Sequence, residues 1–240
     1  MHKLVEFAIK AHGGLTRWKS FHTVSADLIQ GGALWSIKGK AGLLDKVSVT
    51  ADLTREWASH SPFLGAMQRS VFDPPRRVAI ETTNGRVVEE LLNPRDSFKG
   101  HTLETPWSDL QLAYFVGCAM WTYLNTPFLL AAPGIEAEEL EPWKERSETW
   151  RRLQVQFPAN IVTHSTMQTL YFDQRGLLKR HDYNVDIAGA TPGAHYVQDY
   201  VEVSGILFPS KRRIFPRQPD GKSLPEPLVI SIDLSNILLK

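Results

Sequence analysis

WSDLQLAYFVGCAMWTYL, residues 107–124, is the stretch whose reading decides the fold. Leu110, Ala113, Tyr114, Gly117, Cys118, Trp121 and Leu124 fall at helical spacing and line one face. Leu112, Phe115, Val116, Ala119 and Tyr123 fill much of the remainder. A helix that is apolar nearly all round has to be covered on most of its sides. The longest apolar run, Leu112 to Tyr123, falls well short of the ~20 residues needed to cross a bilayer. It therefore reads as a buried helix and not as a transmembrane segment. Thr105-Pro106 offers an N-cap followed by a proline at the first helical position, and Asp109 suits the dipole of the first turn. Asn125 and Pro127 close the far end.

Outside this segment the dominant period is two. Val24, Ala26 and Leu28 alternate with Ser25 and Asp27, and Val47, Val49, Ala51 and Leu53 alternate with Lys46, Ser48, Thr50 and Asp52. Such alternation marks half-buried antiparallel strands. Gly31-Gly32 predicts a turn into a strand from Leu34 to Lys38, which would place Trp35, like Trp57, on a strand. Val78–Thr82 and Val87–Leu91 flank Asn84-Gly85, a strong hairpin signal. Further strands are expected at Thr149–Phe157, Ser165–Phe172, Leu177–Ile187, His195–Val203, Leu207–Phe215 and Leu228–Leu238, about ten in all. Residues 132–143 and 217–227 read as loops, and Lys3 to His12 as a short amphipathic helix stopped by Gly13-Gly14. The economical arrangement is mainly β: a large curved antiparallel sheet, an incomplete barrel, wrapped around the central helix. No composition break divides the chain, so residues 1–240 are expected to form a single domain.

Composition excludes several function classes. A formal charge of +1, from 27 basic and 26 acidic residues, gives no general electrostatic reason to bind nucleic acid. Lys211, Arg212, Arg213 and Arg217 form the densest basic patch, but neighbours on a strand point to opposite faces. The single cysteine, Cys118, permits neither an intramolecular disulfide nor a cysteine zinc site, and burial would make its thiol inert. Phosphate-binding glycine loops, a His-Glu-x-x-His pair and a Gly-x-Ser-x-Gly elbow are all missing, so no cofactor and no metal are expected. The first residues mix charge into their apolar positions, unlike a secretory leader. The chain as given reads as soluble and cytoplasmic, or periplasmic if a leader has been removed.

Three constellations invite a functional reading. With a turn centred on Ala190-Thr191, Asp186 faces His195 and Asp182 faces Asp199. Opposed carboxylates repel unless a cation, a proton or an arginine intervenes. The better core face of that hairpin is Tyr183, Val185, Ile187, Tyr196 and Tyr200, which leaves the acidic side in solvent. His12 suits the C-terminal dipole of its helix. His101 with Glu104, or His181 with Asp182, would be the acid/base pair of an enzyme acting on a small apolar substrate. The third constellation is aromatic: Trp35, Trp107, Tyr114, Trp121, Tyr183 and Tyr200 could line a cavity between helix and sheet, with a tyrosine orienting a polar head.

The opening Ala11-His12-Gly13-Gly14-Leu15-x-x-Trp18, after a short helix and before a strand, resembles openings in the LolA/LolB-like lipoprotein-carrier superfamily. It also resembles an uncharacterised bacterial family that shares a stretch like Arg180-His181-Asp182-Tyr183. The resemblance implies an incomplete barrel lidded by helices, with acyl chains held in its cavity. The chain is therefore expected to be a non-catalytic binder or carrier of a hydrophobic or lipid-like small molecule. The alternatives are the enzyme described above and an interaction domain with a filled core. The deciding question is whether the helix seals a core or roofs a ligand.

Overall fold

The computed structural model describes residues 1–240. Its helices are α1 (Lys3–Ala11), α2 (Leu15–Trp18), α3 (Ala33–Ile37) and α4 (Asp109–Asn125). The strands are β1 (Thr23–Gly31), β2 (Lys46–Asp52), β3 (Ala58–Ser61), β4 (Gln68–Asp73), β5 (Arg77–Thr82), β6 (Val87–Leu92) and β7 (Glu136–Glu145). They continue with β8 (Glu148–Gln156), β9 (Met167–Phe172), β10 (Leu178–Val185), β11 (Thr191–Val203), β12 (Ile206–Pro216) and β13 (Ile230–Leu239). All thirteen belong to one antiparallel sheet, in the order β6-β5-β4-β3-β2-β1-β13-β12-β11-β10-β9-β8-β7.

That order carries the architecture. Two meanders, β1–β6 and β7–β13, are joined edge to edge by β1 and β13, where Val24 pairs with Leu239 and Leu28 with Leu234. The free edges, β6 and β7, are the strands that flank α4 in sequence. The barrel stays open, and the connection that could have closed it supplies the helix that fills it. Every residue from Leu110 to Asn125 is buried. The helix packs on β2–β6, and Tyr123 near its C-terminal end reaches Tyr183 of β10 and His195 of β11. No helix is long and apolar enough to cross a membrane.

The start of α4 differs from the sequence expectation. Ser108 is the N-cap: its hydroxyl accepts from the Gln111 amide (3.2 Å) while the Gln111 side chain accepts from the Ser108 amide (2.9 Å). This reciprocal capping box satisfies two amides, more than Thr105-Pro106 could. Leu34–Lys38 is not a strand. Gly32, at φ +110°, passes so close to β13 that a Cβ there would lie 2.4 Å from the Val229 carbonyl oxygen, and the chain turns into α3 with Leu34 and Trp35 buried. Trp57 precedes β3 and is not on a strand. Residues 136–143, read as loop, belong to edge strand β7; its glutamates at 136, 138, 139 and 141 guard a free edge against further pairing. His12 is not a charged dipole partner. It is buried, burial lowers its pKa to about 4, and its Nδ1 bonds the Ala8 carbonyl (2.8 Å). Gly13 lies so close to the β11–β12 turn that a Cβ would meet the Gly205 carbonyl at 2.2 Å.

Gly117 sets the spacing between helix and sheet, since a Cβ there would sit 2.2 Å from Cβ of Phe72 on β4. Overpacking of this kind costs ~1–3 kcal/mol. Gly117→Ala is accordingly expected to lower the unfolding free energy by that amount, read as a fall in the urea midpoint, despite alanine's better helix propensity; an unchanged or raised midpoint would contradict the close contact.

Candidate functional site

A cavity of about 230 Å³ lies between the start of α4, α3 and the β10–β12 strands. Its lining is almost wholly apolar and includes Leu34 and Ile37 of α3, Trp107, Phe115, Tyr183 and Ile214. It runs from the exposed Ile37 to the buried Tyr183. Lys38 positions its Trp107 wall. That buried ammonium donates to the carbonyls of Thr102 (3.0 Å) and Thr105 (3.1 Å) and stands 4.6 Å from the Trp107 ring. Burial lowers the Lys38 pKa to about 8, so the group stays mainly cationic at neutral pH. A separate narrow void of about 10 Å³, which shares Phe115 and Ile230 with the cavity, is bordered by Trp35, Gln30, Tyr123 and Ile232.

The inner end is polar. The Tyr183 hydroxyl bonds that of Tyr123 (2.5 Å), which also bonds Nε2 of His164 (3.0 Å). The Tyr123 ring lies 4.5 Å from that of His195, and Nε2 of His181 bonds the side-chain Oε1 of Gln168 (2.5 Å). Above them is Arg212, only 2 % exposed. It donates to the Tyr123 carbonyl (3.1 Å), approaches Nε2 of His195 (3.5 Å) and faces the Tyr123 ring at 5.1 Å. Three tyrosines, 123, 183 and 200, surround it as neutral phenols, and no carboxylate pairs with it.

Of the six aromatic residues expected at the site, Trp107 and Tyr183 line the cavity and Trp35 lines the narrow void. The other three lie elsewhere. Tyr114 packs on Phe72 and Phe98, with Arg95 near its hydroxyl (3.4 Å). Trp121 donates to the carbonyls of Asp52 and Arg55 (both 3.0 Å), beside an open groove at the other end of α4. Tyr200 contacts His12 and donates to the Leu178 carbonyl (2.7 Å). Arg212, His195 and Gln30 were missed. Their signal was a polar residue at an inward position of an apolar strand.

The acidic face is redrawn by the register. His181 pairs with His195, Asp182 with Ala194 and Tyr183 with Gly193, and Asp186 lies past the strand's end. The shift from the expected pairing is an odd number of residues, so the faces are exchanged. His195 turns inward beside His181 and Tyr183, while Tyr196 turns outward. Asp182 is buried on the outer side against Arg180, with bonds of 2.6 and 2.8 Å. The Arg180 guanidinium lies within 5.5 Å of the Trp143, Tyr171 and Tyr196 rings. Asp186 pairs with Arg95 (3.0 Å) and Asp199 with Lys211 (2.6 Å), so each carboxylate has its own basic partner. The acid/base pairs are not assembled. Glu104 accepts from Thr102, His101 packs on Phe98, and His181 and Asp182 point to opposite faces of the sheet. Burial pushes the Cys118 thiol pKa up.

No known sequence-family profile matches the chain, and no curated protein matches it in sequence. Solved structures do match in shape. A DUF1329 family protein from Desulfovibrio piger superposes with a TM-score of 0.56 at 10% identity, over 98% of this chain and 91% of that one. A LolA superfamily protein from Nitrosomonas europaea does so with a TM-score of 0.50 at 11% identity, over 92% and 86%. The fold is LolA-like. At such identities the LolA-like likeness establishes chain architecture, and the chemistry of the cavity has to be argued from its own residues.

Burial holds His60, His164 and His181 down to about 3, from the ordinary 6.5. An unfolded chain would protonate these rings first, so their contribution is whole above pH 6.5 and drains as pH falls towards 3. The urea midpoint should therefore fall steadily between pH 7 and about 4.5; a flat profile would count against neutral buried rings. Glu56 has the opposite sign. Enclosed, with Oε2 accepting from the Val162 amide (3.1 Å) and Oε1 unpartnered, it is raised to about 8. Its contribution is present below 4.5 and lost as pH rises through about 8. Glu56→Gln should raise the melting temperature at pH 9 and leave it nearly unchanged at pH 5.

Proposed function

We propose that this protein binds or carries a hydrophobic, lipid-like small molecule, without catalysis, in the cavity between α3, α4 and the β10–β12 strands. The observation that carries this reading is the cavity itself: about 230 Å³, apolar, and reaching from an exposed residue to a buried tyrosine pair. Apolar cavities with a few placed polar groups are the usual form of a small-molecule site. Each methylene transferred from water contributes ~0.8 kcal/mol, so about ten of them match the ~8 kcal/mol of micromolar binding. Trp107, Phe115 and Ile214 would hold the chain, Trp35 would back the inner end, and Tyr183 would meet whatever polar atom the ligand carries. The likeness to a LolA superfamily protein supplies a fold suited to this use. The three scattered aromatics, Tyr114, Trp121 and Tyr200, have no part in it.

Native mass spectrometry of the purified protein should show a co-purifying apolar species, and a fluorescent fatty-acid probe should bind. The cavity can also be filled from within. Gly193 lines it, and a Cβ there would make ordinary contacts with Ile214 (3.5 Å) and Tyr183 (3.6 Å). Gly193→Val should cut probe affinity at least tenfold with the melting temperature unchanged or raised. Probe binding that survives this change would move the ligand elsewhere.

A further inference from the structure

An unmatched positive charge, Arg212, lies one inward-facing residue beyond Ile214 of the cavity wall. A charge taken out of water costs several kcal/mol per ion unless a partner repays it. The fold repays Arg180 with Asp182 and three aromatic rings, yet it leaves Arg212 with a carbonyl, a neutral imidazole and one ring face. Burial lowers the Arg212 pKa only to about 10, so the guanidinium remains charged at neutral pH.

The unused hydrogen-bonding groups around it are of one kind. Nε of Arg212 and the side-chain nitrogen of Gln30 are buried and have no acceptor. When Arg212 donates to Nε2 of His195, the neutral ring carries its proton on Nδ1, which is also buried and unpartnered. All three are N–H donors. Orphaned buried donors are costly, and a cluster of them calls for an acceptor that the protein itself does not supply.

Their placement ties them to the cavity. His195 lies directly across from Ile214, a cavity-wall residue, and Arg212 is the next inward-facing residue beyond Ile214 on β12. Ile232 stands between Arg212 and Gln30 in the same cross-strand row, and Ile232 and Gln30 border the narrow void that shares Phe115 and Ile230 with the cavity.

We infer that Arg212, His195 and Gln30 form the seat of an anionic head group, and that the ligand is an acidic amphiphile of fatty-acid type, bound with its carboxylate inward and its chain along the cavity. The inference rests on the cavity reading given above and adds the charge and the orientation of the ligand. The carboxylate accepts from the free N–H groups and neutralises the guanidinium, while Tyr183, bonded to Tyr123, stands between the apolar wall and the polar end.

Dodecanoate and dodecanol, titrated calorimetrically at pH 8 into the full chain, separate the possibilities. The wild-type protein should prefer dodecanoate at least tenfold. Arg212→Met keeps the apolar stem and removes the charge; it should abolish that preference, hold dodecanol affinity within twofold, and melt no lower than wild type. Acetate alone should fail to compete, since the chain supplies much of the affinity. Equal affinity for acid and alcohol in the wild type, or a preference that persists in Arg212→Met, overturns the anionic seat and leaves the apolar cavity standing. Binding of neither compound removes both. Should the methionine variant fail to fold, the wild-type comparison of acid with alcohol decides alone.

Discussion

Everything in this molecule follows from a helix with no polar face. Residues 110–125 are buried without interruption, so α4 can exist only inside something. An antiparallel sheet with one apolar face can enclose it, provided that the sheet curves and the helix enters across an unpaired edge. The strand order meets both conditions by leaving β6 and β7 unjoined and letting the segment between them carry the helix inward. A flat sheet would have left half of the helix wet. The cavity near Trp107 lies at the helix's N-terminal end, where α3 and the strands diverge enough to leave space.

How much of this is legible in the sequence depends on whether one side of an element meets water. Helix α4 is readable because, apart from Thr122, its polar residues lie only at its ends. Strands β1 and β2 are readable because Ser25, Asp27, Ser48 and Thr50 alternate with Val24, Ala26, Val47 and Val49. Strand β10 is less readable because both faces are covered: His181 and Tyr183 inward, Arg180 and Asp182 beneath the loop that brings Gly221 over them. Polar residues then no longer mark the outside, and the hairpin register loses its guide. Strand β7 is masked by its glutamates, which protect an edge and so look like loop. Short α3 is too brief to show a period. The site was half visible for the same reason. Large aromatic residues are conspicuous whether they line a cavity or seal a core, so Trp107 and Tyr183 could not be told apart from Tyr114 and Tyr200. Arg212 looked like one member of a basic surface patch, although Lys211 and Arg213 pair outside with Asp199 and Asp233 while Arg212 points in.

The two buried arginines form a natural comparison. They lie on opposite sides of the same sheet, in similar depth, and differ in company. Arg180 has a bidentate carboxylate, three rings and a carbonyl, an arrangement complete in itself. Its chemistry belongs to the fold, fixing the 217–227 loop over the outer face. Arg212 has no such completion, and it stands on the inner face of the sheet beside Ile232, which borders the narrow void. A buried charge that the protein leaves unpaired is more informative about a ligand than any number of well-packed aromatic rings.

The seam where β1 meets β13 bears on how the chain reaches this state. Each meander on its own consists of neighbours in sequence pairing with neighbours, which forms quickly. The seam joins residues more than two hundred positions apart, Val24 to Leu239 among them, and it holds the two halves of the wall together. A ribosome-bound chain therefore carries an exposed apolar helix with half a wall around it until its last strand emerges. The contact that completes the sheet is the last to become available, so the nascent protein must keep residues 110–125 from other apolar partners for most of its synthesis.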